Sequence, residues 1–287
     1  MTKISLPLLA GMAILGLSGV AQAADMGGPF KAPSVVQPLP ESSGGGGWYL
    51  RGDVGIGINS KLDLESVGSA GIAANPSASW LNRDIADTPF ISAGVGYQFT
   101  DYLRGDLTAE YRSSTRFRAN ARYPRNANDV AYPLYDGSVS STVVLANGYV
   151  DLGNYYGLTP YVGAGVGAAY NKMGDIFQHT SFPRWGTYAD GTMPGTGKWN
   201  LAWALHTGLT WDVNSRLKLD MGYSYKNMGK VTSGELRCNE NPKVIHNCNE
   251  WLTLKNLASN DLHVGMRWLL NPPEAKPVYS APVVAKY

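Results

Sequence analysis

Residues 90–112 read FISAGVGYQFTDYLRGDLTAEYR. Ile91, Ala93, Val95, Tyr97 and Phe99 share one parity. Leu103, Leu107, Ala109 and Tyr111 share another, set against Arg104, Asp106, Glu110 and Arg112. Side chains of a strand alternate between its two faces, so each run predicts a strand with one apolar and one polar or charged face. Only Thr100 and Asp101 separate the two runs, which predicts a tight hairpin.

Working outward, the same pattern recurs until the chain holds eight such runs between Trp48 and Leu270. WYLRGDVGIGIN (48–59) precedes the hairpin. STVVLANGYVDL (141–152), PYVGAGVGAAYN (160–171), WNLAWALHTGLTWDV (199–213), LKLDMGYSYK (217–226) and a run ending DLHVGMRWLL (261–270) follow it. In the fourth run Val143 and Val144 break the alternation. Three connections are short, at 100–101, 153–157 and 214–215. Four are long and polar, roughly 60–88, 113–138, 173–198 and 229–257.

An even strand number with alternating short and long connections predicts an all-β fold: an eight-stranded antiparallel up-and-down transmembrane β-barrel. Its four long loops would be extracellular, its three short turns and both termini periplasmic. The competing fold is a soluble barrel of the lipocalin kind, which would put the apolar parity inside and the charges outside. Trp48, Tyr97, Phe99, Tyr111, Tyr170, Trp203, Trp211 and Trp268 fall near run ends on the apolar parity, as two interfacial girdles require, and this favours the membrane barrel.

Export agrees with that placement. Residues 1–23 combine Lys3, an apolar run and Ala21-Gln22-Ala23, the pattern of a cleavable secretory signal. Residues 24–47, rich in Pro, Gly and Ser, are expected to be a periplasmic linker. Residues 48–270 form the barrel, and 271–287 a Pro-rich periplasmic tail. Cleavage removes Lys3 and no acid, leaving 23 basic against 22 acidic residues. Such balance gives no global attraction to nucleic acid or another polyanion, so charge-driven binding must be local. Cys238 and Cys248 lie close together in RCNENPKVIHNCNE. In an exported chain that predicts a disulfide, and a metal site with His246 lacks a fourth ligand. No residue pattern implies a cofactor or metal.

The whole mature chain, and especially WYLRGDVGIGIN, YLRGDLTAEYR, TPYVGAGVGAAYN and HVGMRWLL, resembles the small outer-membrane β-barrel surface-antigen proteins of alphaproteobacteria. That group is related to the opacity-type and A-type outer-membrane proteins. The resemblance implies insertion by the barrel-assembly machinery, with Gly265, Trp268 and Leu270 forming the last-strand signal although residues 271–287 follow it. It also implies attachment to peptidoglycan through a mature Ala24-Asp25 terminus, whose amine a separate L,D-transpeptidase would acylate.

An eight-stranded barrel is only wide enough to be filled by side chains. Arg51, Asp53, Arg104, Asp106, Glu110, Arg112, His206, Asp212, Lys218, Asp220, Lys226, Asp261, His263 and Arg267 are therefore expected to form an ion-paired plug. Arg112, Arg116, Arg118, Arg122 and Arg125, interleaved with Phe117 and Tyr123, read either as a solvated loop or as a basic cluster for lipopolysaccharide phosphates. His179-Thr180-Ser181 resembles the His-x-Ser of barrel lipid A deacylases, but the sequence assigns no group to orient the histidine.

The expected function is thus structural and non-enzymatic: an outer-membrane protein serving envelope integrity, with surface loops for recognition. The alternatives are a small porin-like channel or transporter and, further off, a lipid A-modifying enzyme of the outer leaflet.

Overall fold

The structure, a computed structural model, describes residues 46–271 apart from 60, 61, 70 and 241–243. The expected signal segment, the Ala24-Asp25 terminus and the tail beyond 271 lie outside the described residues. The described residues are almost wholly β, and the pairings among them are antiparallel.

Eight strands carry the main ladders: β1 (Gly47–Asn59), β4 (Thr88–Gln98), β5 (Leu103–Asn126), β6 (Asp129–Asp151), β7 (Leu158–Met173), β10 (Thr196–Asp212), β11 (Leu217–Asn227) and β16 (Ala258–Leu269). Their pairings run β1–β4–β5–β6–β7–β10–β11–β16 and return from β16 to β1. Each of these strands therefore has two partners and no open edge along its paired length.

Three short connections share one end. In 152–157 the Asn154 side chain accepts the Gly157 amide at 2.9 Å, while Gly153 and Gly157 supply the positive φ angles of 104° and 86° that the reversal needs. In 213–216 Asn214 Oδ1 accepts the amides of Arg216 and Leu217, both at 2.8 Å. The first and last strands meet at this end, where Leu270 N donates to Trp48 O at 2.9 Å.

Along the half of the ring nearest the short turns, the outward face is apolar and bare. Leu50, Val54, Ile91, Val95, Leu107, Val166, Leu205, Met221, Val264 and Met266 are all exposed. Aromatic pairs stand at both rims of this band, Trp48 on Tyr97 near the turns and Tyr170 on Trp199 at the other, each at 5.2 Å between ring centres.

The long connections depart from the expectation of polar loops. β5 and β6 continue past residues 112 and 141 to a hairpin at 127–128. The remaining segments add β2 (Leu64–Gly68), a helical turn α1 (Gly71–Ala74), β3 (Ser79–Ile85), β8 (Ile176–Phe182), β9 (Thr187–Met193), β12 (Val231–Thr232), β13 (Arg237–Glu240), β14 (Val244–Asn247) and β15 (Glu250–Leu254). β3 extends the sheet beside β5, and β8, β9, β13 and β14 extend it beside β6. β12, β15 and β2 form a separate three-stranded sheet.

Between Arg112 and Thr115 β5 carries one more residue than β6, a bulge that shifts the sequence parity of its inward face. Below the bulge Arg104, Asp106, Glu110 and Arg112 point in and Leu107 and Tyr111 point out. Above it Phe117, Ala119 and Ala121 are buried, and Arg116, Arg118 and Arg122 are exposed. Polarity is thus inverted along one continuous strand. The upper half, hereafter the crown, has an ordinary apolar core. Leu64, Leu252 and Leu254 of the small sheet join one buried cluster with Phe117, Val139 and Met173 of the long strands. Cys238 and Cys248 are disulfide-bonded at the crown's edge and pack against this cluster.

Candidate functional site

Two regions concentrate chemistry: the polar interior of the lower ring, and a cavity in the crown.

The interior follows from strand parity. Arg112 extends its guanidinium across to β16, where Nη1 and Nη2 reach the two oxygens of Asp261 at 2.8 and 2.9 Å and Nη2 also donates to Ser259 at 3.0 Å. Nη1 donates to Glu110 at 2.9 Å, and Lys226 bridges Glu110 and Asp261 from β11. Toward the short turns Arg51 bonds Asp53 and Asp106, both at 2.8 Å. Arg267 holds Asp220 at 2.7 Å. Arg104 reaches Asp151 at 3.1 Å and lies 4.1 Å from the centre of the Tyr149 ring. His206 bonds Ser224 and Asn147.

Two glycines make room for these groups. A methyl on Gly57 would lie 1.8 Å from Arg112 Nη2, and one on Gly265 would lie 2.1 Å from Asp53 Oδ1. Gly265 faces Asp53 from the adjacent β1, and Gly57 faces the Arg112 guanidinium, which reaches it from β5 on the far side of β4. Among the described residues the gap left between the ion pairs, lined by Arg51, Glu110, Asn147, His206 and Lys226, measures about 30 Å³. That is room for a water or two.

Several expected inward residues are brought together as pairs. Asp212 and Lys218, however, pair with each other at 2.6 Å at the turn end, where both remain partly exposed. Asp151, Asn147 and Tyr149 belong to the network and escaped the sequence reading. The fourth run looked irregular because Val143 and Leu145 point inward along with Asn147, Tyr149 and Asp151. There they pack with Ala169, Ala202 and Ala204, so the interior is ion-paired on one side and apolar on the other.

The expected basic cluster divides three ways. Arg112 is 2% exposed and committed to Glu110, Asp261 and Ser259 in the interior, so it is no surface contact. The parity of β5 below the bulge forces that position. Arg116, Arg118 and Arg122 project from the outer face just beyond the apolar band, with Arg118 bonded to Asp136 at 2.7 Å. Arg125 lies near the hairpin tip, 3.4 Å from Asp129 and over the Phe182 ring.

His179 and Ser181 lie on β8, and His179 Nδ1 lies 2.7 Å from Asp190 Oδ1, a carboxylate that the sequence reading could not assign. Both of these side chains are more than half exposed, and catalysis would have to proceed in open water, where charge stabilisation is weak. Gly265 faces inward, whereas Trp268 and Leu270 sit on the bare apolar face.

The crown cavity, about 330 Å³, is walled by Tyr123, Tyr135, Phe182, Pro133 and the disulfide, with Glu250 at its floor. Glu250 Oε1 accepts from Ser66 Oγ at 2.7 Å and from the Tyr135 hydroxyl at 3.1 Å, and Gln178 in turn donates to Tyr135 at 3.2 Å. Burial pushes the Glu250 carboxyl above its usual range, against the pull of its hydrogen bonds to Ser66, Tyr135 and the Ile72 backbone.

An antiparallel β-protein with a bare apolar girdle and charges turned inward defines the class of outer-membrane surface proteins. The chain belongs to the small outer-membrane surface-antigen family of alphaproteobacteria. It is 32% identical over 225 residues to an uncharacterised protein of Brucella abortus, covering 74% of this chain and 78% of the other. It is 31% identical over 186 residues to a putative adhesin of Rickettsia conorii, covering 64% and 69%. With the outer membrane protein PagN of Salmonella typhimurium it shares 26% over 206 residues, covering 70% and 82%. No family model matches. Among solved structures, the outer membrane protein OprG of Pseudomonas aeruginosa aligns at TM-score 0.43 and 12% identity, over 78% of this chain and 96% of that one.

Removing one partner of a buried ion-paired group strands the other charges, which costs about 3–5 kcal/mol. Arg112→Met is therefore expected to lower the urea midpoint of the detergent-solubilised protein by that equivalent. Arg118→Met, whose ion pair is exposed, is expected to change it by less than about 1 kcal/mol.

Proposed function

We propose that this protein is an eight-stranded transmembrane barrel, closed to conduction, that anchors an extracellular recognition crown in the outer membrane and serves envelope integrity. The observation that carries the reading is the run of eight ladders returning to its first strand, dressed outward in apolar side chains and filled inward with ion pairs. In hydrocarbon every backbone polar group needs an internal partner, and a closed ring of strands supplies it. Trp199 and Trp211 on β10, at about 3.3 Å per residue and roughly 45° of tilt, stand about 28 Å apart along the membrane normal, close to the apolar height of such barrels.

In this reading the short turns and both termini face the periplasm and the crown faces outward. The channel alternative needs a continuous lumen. A ring of this size is filled by its own side chains, and the buried crown cluster lies above the ion pairs. The relatives that are named putative adhesins support recognition as the crown's task. We assign lipopolysaccharide contact to Arg116, Arg118 and Arg122 alone. They sit at alternate positions or multiples of two on the outward face above the apolar band, where guanidinium groups would meet phosphates of the outer leaflet. Insertion by the assembly machinery through Gly265, Trp268 and Leu270, and a peptidoglycan link at Ala24, complete the proposal. The second links barrel and cell wall mechanically.

Three measurements test these assignments. Val264→Arg, in the middle of the apolar band, is expected to cost about 2–4 kcal/mol of stability in lipid, and an unchanged midpoint would refute the lipid contact. Arg116→Gln, Arg118→Gln and Arg122→Gln together are expected to reduce co-purifying lipopolysaccharide several-fold, with Arg125→Gln as the neutral control. Muropeptide digests are expected to contain a diaminopimelate-linked peptide beginning at Ala24, and its absence would remove the tether.

A further inference from the structure

The crown cavity holds an acid that the barrel does not use. Glu250 is 2% exposed and lines the floor of the cavity, and no cation among the described residues lies within ion-pair distance of it. In the lower ring, by contrast, every buried carboxylate named above has an Arg or Lys beside it. The site is built to keep that carboxylate in place. Ser66 and Tyr135 both donate to Oε1, Gln178 fixes the Tyr135 hydroxyl, and the Ala73 amide donates to Ser66 Oγ at 3.3 Å. Gly71 leaves the room, since a methyl there would lie 2.1 Å from the carboxylate. Trp80 packs behind Tyr135 at 5.7 Å between ring centres.

The walls suit a cation with an apolar body. Tyr123, Tyr135 and Phe182 offer aromatic surface, and Ile72, Ala131 and Pro133 aliphatic surface. The remaining charges at the cavity are Arg125, paired with Asp129, and Asp190, beside His179. The balance inside the cavity is therefore acidic. Its volume of about 330 Å³ falls at the small end of ligand sites, for which about 300–1,000 Å³ is usual.

We propose that the crown cavity binds a small organic ammonium or guanidinium ion, with the Glu250 carboxylate as its counter-charge and Tyr123, Tyr135 and Phe182 against its apolar body. A buried carboxylate without a cation is costly, and an entering ammonium replaces that cost with an ion pair in a region of low dielectric. The same chemistry is carried by a free amine and by a lysine or arginine side chain of a peptide. The inference deepens the recognition role of the crown, but binding to purified protein does not depend on which way the barrel sits in the membrane. A failure here is thus separable from a failure of that reading.

The groups facing Glu250 fix the pH dependence. Tyr135 is held well above its usual range by burial and by Glu250 itself, and stays neutral. Arg125 and Asp190 are the other charged groups lining the cavity, and His246 on β14 touches Cys248 of the disulfide. Because the Glu250 carboxyl titrates above its ordinary value, affinity for an ammonium should rise as pH is raised from 4 toward neutrality and level off once the acid is ionised.

Calorimetric titration of the full mature protein in detergent tests this with 2-phenylethylammonium, its neutral analogue 2-phenylethanol, and the dipeptide acetyl-Phe-Lys-amide. The ammonium is expected to bind at least tenfold more tightly than the alcohol. Glu250→Gln is expected to lose that preference and the pH dependence while keeping the disulfide. Ala189→Phe, which narrows the cavity and leaves the Glu250 carboxyl in the chain, is expected to abolish binding of both cations in a protein with an unchanged urea midpoint. Tighter binding of the dipeptide assigns the site to a peptide side chain, and tighter binding of phenylethylammonium to a free amine. Equal binding of the alcohol, full retention of binding in Glu250→Gln, or no binding of either cation overturns the proposal.

Discussion

The ladder between β1 and β16 joins the first main strand to the last, with Tyr49 opposite Leu269 and Asn59 opposite Ser259. Everything else depends on that pairing. A strand edge facing lipid would leave a row of unpaired amides and carbonyls, each costing several kcal/mol in hydrocarbon. With the edge closed, the outward side chains need only be apolar, which is what Leu50, Val54, Val264 and Met266 provide. The inward ones are committed to a narrow space in which charges must find each other.

That narrowness makes the interior specific. Arg112 reaches Asp261 from a position 149 residues earlier in the chain, and Gly57 must lack a side chain for the guanidinium to pass. Buried ion pairs of this kind add little net stability over an apolar filling, yet any wrong register would leave one of them unpaired. Val143, Leu145, Ala202 and Ala204 fill the opposite wall without charge. The crown then reverses the polarity of the strands it grows from, because above the apolar band the surrounding solvent is water.

Much of this was legible from periodicity. Parity alone assigned Leu107 outward and Arg104, Asp106 and Glu110 inward, since a strand's two faces are written at i and i+2. Four features were not legible, each for a physical reason. The bulge after Arg112 shifts parity within a single strand, so the five arginines look like one cluster and are three. Asp151 is hidden by the inward valines and leucine of β6, whose purpose is visible only against β7 and β10. The long connections read as polar because their apolar residues come in short runs, Leu62 and Leu64, Leu252 and Leu254, that make a core only when gathered. Glu250 gives no local signal at all, since its partners Ser66 and Tyr135 come from distant segments.

The sequence by itself determined the runs that form the main ladders, the apolar outward face of those runs, and that Cys238 and Cys248 would be joined, because these follow from neighbours a few residues apart. Only the tertiary structure decided which charges pair, where the polarity inverts, and that an acid without a counter-ion closes the floor of a cavity. Those outcomes depend on register between strands far apart in the chain. Register is set by closure of the ladders and the position of one bulge, neither of which any single segment encodes.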